Sequence, residues 1–313
     1  MMVAGVVAPS VSLSRTRQAS VEPPQTTNEG TKSFHVGGGP SAIAFDGKNI
    51  WVASQAANTI SRLRAKDGRE LDKVDVGERP VALAWDGSNV WVANLFDDTV
   101  TKVRGADGTV VATFRVGKQP AGLLFDGTCI WVANSKSNTV TKLRATDGAR
   151  LGSFAVGPRP MALAFDGANV WVTNNNGRSV TKLQASDGEV LGTYEAGKNP
   201  TGIAFDGQNL WVANFYQGRV TKLQAWDGAI VGAYEVGDGP TDVTYAGGYV
   251  WVSNHGAGTV TKMEPRYGFI VDTLVVGRGP SAVVFDGHNV WVASSGGNSV
   301  LRVNQDSDPQ QHR

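Results

Sequence analysis

Apolar and polar positions recur along this chain with a short period inside a long one. In the stretch from Pro80 to Val116, four runs rich in Val, Ile, Thr and aromatic residues fall at 80–85, 89–93, 99–104 and 109–116, the side chains that β-strands favour. The fourth run alternates, with Val110, Ala112, Phe114 and Val116 on one side and Val111, Thr113 and Arg115 on the other. That period of two predicts an outer strand with one wet face. The first two runs lack clean alternation, as expected of strands covered on both faces. Asp86-Gly87 and Asp107-Gly108 join first to second and third to fourth run. These are hairpin turns in which Gly accepts positive φ and Asp bonds the backbone two residues on.

The whole pattern returns every 40 residues. The Trp of a Trp-Val pair stands at 51, 91, 131, 171, 211, 251 and 291, and a Pro opens each copy at 40, 80, 120, 160, 200, 240 and 280. A repeat of about 40 residues with four strands per copy is the mark of a propeller blade. The predicted fold is therefore all-β, a seven-bladed β-propeller with four-stranded blades. The last copy stops after its third strand, at Val303, while residues 31–37 ahead of the first Pro read as a fourth strand. The N-terminal strand is expected to complete the last blade and remove an exposed edge. This divides the chain into a 1–30 tail or signal-peptide remnant, a 31–304 propeller and a 305–313 tail. Each blade's first-to-second and third-to-fourth turns share one face. The second-to-third loops and the Gly-x-x-Pro links between blades share the other, called the top.

Composition narrows the partners. The chain has 313 residues with 29 basic and 28 acidic side chains, a net charge of +1. This is not the basic excess of a nucleic-acid binder, so no nucleic-acid partner is expected. No apolar run approaches the roughly 20 residues of a membrane span. Cys129 is the only cysteine, which excludes an intramolecular disulfide. Residues 1–8 are apolar but lack the basic start of a signal peptide; a late-assigned start and a featureless tail are the two readings. A monomer is expected.

The run Trp131-Val-Ala-Asn-Ser-Lys-Ser-Asn-Thr-Val-Thr-Lys-Leu143, followed by Gly152-Ser-Phe-Ala-Val-Gly157 and Pro160, resembles the YVTN family of bacterial β-propeller repeats. It is also similar to NHL-like and streptogramin-lyase-like propellers, over about residues 31–304. The YVTN resemblance implies an extracytoplasmic, non-catalytic binding or scaffold protein. The lyase resemblance implies a metal-binding glutamate and a histidine pair on the top face. Here the glutamate position holds Ser54, Asn94, Asn134, Asn174, Asn214, Asn254 and Ser294, and no Glu-x-His occurs.

The four histidines, His35, His255, His288 and His312, have no metal-ligand spacing, and no phosphate or dinucleotide motif is present; no cofactor is expected. Copies that break the pattern point to function. The sixth has Asp242 where others carry Ala or Gly, Ala246 in place of the turn Asp, His255 in its top loop and Asp238 in the preceding link. A carboxylate beside an imidazole suits acid–base work or cation binding; the alternative for Asp242 is a polar network with Thr244 or a channel water. The top loops offer Phe96, Lys136, Asn175, Asn176, Phe215, Tyr216, Asp238 and His255 as a contact surface, since loops on a rigid scaffold carry recognition. The links add Arg79, Lys118, Arg159, Lys198 and Arg278 against Glu78 and Asp238, a bias toward anionic ligands. Trp226, Tyr267 and Phe269 form a candidate partner patch on the opposite face. The leading functional reading is a non-catalytic scaffold that binds a protein or small molecule through its top loops. The alternatives are a metal-dependent lyase or hydrolase centred on the sixth copy, with Asp242 and His255 as catalytic candidates, and a sensor module of a multidomain protein.

Overall fold

The computed structural model describes residues 25–26 and 31–304. The remaining terminal residues, with the expectations for the two tails, lie outside the described residues. Seven sheets form the seven blades. In blades one to six, strands A, B, C and D follow in chain order and pair antiparallel; in blade four they are Pro160–Phe165, Asn169–Asn174, Ser179–Gln184 and Val190–Glu195. Each strand A lies against the strands A of its two neighbours, so the seven line a central channel. Blade seven takes A, B and C from Pro280–Phe285, Asn289–Ser294 and Ser299–Asn304 and its outer strand from Thr31–His35. Thr31 faces Val303 and His35 faces Ser299 in that closing register. Gln25–Thr26 adds a short parallel strand outside Ile270–Val275 of blade six, a piece of order inside the expected tail.

Burial follows position in the blade. Strand B is buried along nearly its whole length, whereas strand A mixes buried and half-buried residues because its inner edge opens on the channel. The expectation of full burial for both thus holds for B alone. On strand D of blade two, Val111, Thr113 and Arg115 are exposed as predicted, but so is Val110. A bulge between Val110 and Ala112 breaks the register there and turns Val110 outward.

Each Trp-Val tryptophan is buried between blades, at most 2% exposed. Its indole meets an aromatic of strand D at 5.5–5.8 Å in five blades, as in Trp91–Phe114 and Trp291–Phe34. In six blades the Nε1–H donates to the Asp of the A–B turn at 2.6–2.8 Å. The same carboxylate accepts the turn's own N–H groups, for example from Ser88 and Asn89 to Asp86. Burial pushes the carboxyls of Asp126, Asp166 and Asp286 up, but these bonds outweigh it and hold them below the usual range. In blade six Trp251 donates instead to the Ala246 carbonyl.

A basic residue on strand C covers each of these indoles, and in blades one to five and seven it reaches the next blade. Lys142 Nζ lies 5.0 Å from the Trp131 ring and donates to the carbonyls of Ala185 and Ser186 at 2.6 and 2.9 Å. Lys102, Lys182 and Lys222 repeat the contact one blade apart, and Arg302 carries it from blade seven to Ala65 and Lys66 of blade one. Near the channel, Ser41, Thr201, Thr241 and Ser281 donate to the first proline carbonyl of the following blade at 2.8–3.3 Å. Charge-assisted and neutral bonds thus bind the ring blade to blade.

Candidate functional site

The top loops are held by their own backbone. In blade two, Leu95 N–H and Phe96 N–H donate to the carbonyls of Arg79 and Glu78 in the preceding link. The side chains of Asn58, Asp98, Asn138 and Asn298 accept from the N–H of Arg79, Gln119, Arg159 and Gly39 at 2.8–2.9 Å. Arg79, Gln119 and Arg159 have φ of 56°, 54° and 56°, a left-handed conformation that costs a side-chain-bearing residue about 1 kcal/mol. The clamps offset that cost and fix the links.

On this frame Phe96 is 48% exposed, with the Arg79 guanidinium 4.8 Å over its ring. Lys136, Asn176, Asp238 and His255 are exposed. Tyr216 is 77% exposed and meets half-buried Phe215 edge-on at 5.3 Å. Asn175 differs from its expected place on the contact surface: it is buried. Its Nδ2 donates to the Pro200 carbonyl at 3.0 Å, and its Oδ1 accepts from Asn199 Nδ2 at 2.8 Å. It joins blades four and five, because a buried amide needs both partners. The strand B asparagines are also architectural: Asn94, Asn174 and Asn254 donate to strand C hydroxyls.

Blade six does not gather its odd residues into one cluster. Asp242 stands in the channel wall, half-buried. Its Oδ1 accepts from its neighbour Val243 N–H and its Oδ2 from Val283 N–H of blade seven, both at 3.0 Å. Protein surrounds the carboxyl closely, and this desolvation pushes it up to about 6 against the pull of the two N–H bonds. Its partners are these backbone groups, not the Thr244 hydroxyl. His255 leans toward blade seven, its Nε2 3.1 Å from where a Cβ on Gly279 would stand. Asp238 faces the opposite way, its Oδ1 3.8 Å from the corresponding point on Gly218. Among the described residues no group of three or more His, Cys, Asp or Glu side chains is placed to hold a metal ion.

The ring order reveals what a linear reading misses. Lys118, Lys136, Arg159, Arg178 and Lys198 are exposed on consecutive top links and loops of blades three to five. No Asp or Glu interrupts these links and loops (116–119, 135–138, 156–159, 175–178 and 196–199), and the described ion pairs involve none of the five. Arg178 was legible only as the residue that stands before strand C where blades one, two, three and seven carry Asn or Asp and blades five and six carry Gly. On the opposite face, Tyr267 and Phe269 meet at a tilt with ring centroids 5.8 Å apart and Arg266 over Tyr267. Trp226 lies one blade away, 75% exposed, beside a groove shared with blade four.

No protein-family model matches the chain, and no curated protein matches it. Solved structures do. A hydrazine synthase structure from Kuenenia stuttgartiensis is 19% identical with a TM-score of 0.78, over 87% of this chain and 97% of that one. A catalytically inactive virginiamycin B lyase from Staphylococcus aureus with quinupristin is 17% identical with a TM-score of 0.76, over 88% and 98%. The U3-55K structure is 11% identical with a TM-score of 0.77, over 87% and 98%. At these identities the likeness is one of fold: the chain shares the seven-bladed architecture with streptogramin-lyase-like and other propellers.

Proposed function

We propose that this propeller is a non-catalytic recognition scaffold whose top face binds an anionic partner or ligand. The observation that carries this reading is the uninterrupted arc of Lys118, Lys136, Arg159, Arg178 and Lys198, flanked by exposed Phe96 and Tyr216 on loops clamped from below. Cations on fixed loops steer an acidic partner without a large ordering cost, and exposed aromatics beside them supply apolar contact. The test is binding to poly-L-glutamate at low and high salt. A top variant, Lys118→Glu/Lys136→Glu/Lys198→Glu, is compared with a bottom variant of equal charge change, Lys48→Glu/Lys66→Glu/Arg69→Glu. The reading expects salt-sensitive binding that the top variant loses and the bottom variant retains. Equal weakening of both would reduce the effect to net charge.

The second reading, a lyase-type activity centred on blade six, draws support from the raised carboxyl of Asp242 and from the fold shared with the virginiamycin B lyase. It requires Asp242 to leave Val243 and Val283 and meet His255. Stoichiometric metal on the purified protein, lost in Asp242→Ala, would favour it over the scaffold reading.

A further inference from the structure

The groove beside Trp226 joins two departures from the seven-fold pattern to a lining whose charges the pattern itself satisfies, and together these point to one kind of ligand. It is about 700 Å³ and lies between the bottom turns of blades four and five, within the size range of small-molecule sites. First, Trp226 stands where the other C–D turns carry Lys66, Ala106, Thr146, Ser186 and Arg266, and it is 75% exposed. Its turn is anchored from blade four, since Lys182 Nζ donates to the Ala225 and Trp226 carbonyls at 2.9 and 3.3 Å.

Second, the end of strand C has changed chemistry. In blades one to three Arg64, Arg104 and Arg144 pair with Asp67, Asp107 and Asp147. Blades four and five have Gln184 and Gln224 there, and Gln208 is exposed on the A–B turn of blade five, its backbone carbonyl accepting from Ala225 N–H. Asn169 and Asn209 also line it; each donates its Nδ2 to its own turn Asp, which leaves the amide oxygen to accept. The charges in the lining are already satisfied, as they are in the other blades. Asp166 accepts from Trp171, Asn169 and Ala168, and Lys182 is bonded to the two carbonyls.

A flat indole beside a row of planar amides, with no free charge, matches a ligand that has one apolar C–H face and an edge of hydroxyls. We infer that the groove is a binding site for neutral saccharide, with a pyranose ring stacked on Trp226 and its hydroxyls bonded by Gln208 and Gln224. This site is separate from the top face and does not depend on the reading given for it.

Because the seven Trp-Val tryptophans are buried, solvent-sensitive emission comes mainly from Trp226 and half-buried Trp85. The full chain would be titrated with a panel of neutral cello-, malto-, manno-, xylo-, galacto- and chito-oligosaccharides, followed by tryptophan fluorescence. The inference expects at least one series to shift the emission to the blue. Trp226→Ala should weaken that binding about tenfold or more, Trp226→Phe should restore part of it, and Gln224→Ala should weaken it without changing the melting temperature. Binding that persists in Trp226→Ala, or a panel in which no member binds, overturns the inference.

Discussion

Asp242 shows how one side chain departs from its repeat. Its carboxyl sits at about 6 because the channel wall desolvates it, even though the Val243 and Val283 N–H groups donate to it. The folded protein therefore holds this proton more tightly than the unfolded chain. The stabilisation is fully present below the unfolded carboxyl value near 4 and is lost as pH rises through about 6. Asp126, Asp166 and Asp286, held low, act with the opposite sign: their contribution is present above the unfolded value and lost as pH falls through the folded one. Comparing wild type with Asp242→Ala isolates the first effect. The cost of the substitution should be greatest near pH 4 and shrink toward pH 7, by an amount on the order of 1–3 kcal/mol. Chemical denaturation of both proteins across that range checks it; a cost independent of pH would mean the carboxyl titrates normally.

At the scale of the blade, the turn Asp, the Trp and the strand C base form one unit. Lys142→Met keeps the stem over Trp131 and removes the bonds to Ala185 and Ser186. It should cost about 1–3 kcal/mol, whereas Lys136→Met on the exposed loop should stay within about 0.5 kcal/mol. Denaturant melts of the two variants decide this, and equal small losses would show the latch contributes nothing. Trp171→Ala should cost about 3–5 kcal/mol by the same measurement. Half of this unit was legible in the sequence. Asp-Gly marks the turn, and the tryptophan spacing marks the blade. The lysine was not, because its partners lie 43 and 44 positions on, in the next copy; a periodic sequence hides contacts between successive repeats. Asn175 was misplaced for a related reason, since an asparagine in a loop reads as exposed until the neighbouring blade supplies Pro200 and Asn199.

At the scale of the whole molecule, ring closure and the top arc both depend on blade order. The fold was legible because strand periodicity, turn residues and the 40-residue spacing agree. The closing strand was legible as the missing fourth run of blade seven, and Thr31–His35 fills it. Deleting residues 31–37 should expose the outer edge of Ser299–Asn304 and cause aggregation or a large fall in melting temperature; a monomer with unchanged melting would contradict the closure. The site was less legible, since a charge arc is a property of loops brought side by side, not of any one motif. The most direct measurement is a lysine-acetylation footprint of the intact protein with and without poly-L-glutamate at low salt. The scaffold account predicts that Lys118, Lys136 and Lys198 become protected while Lys48 and Lys66 on the bottom face react unchanged. Uniform protection of both faces, or none at Lys118, Lys136 and Lys198, would contradict it.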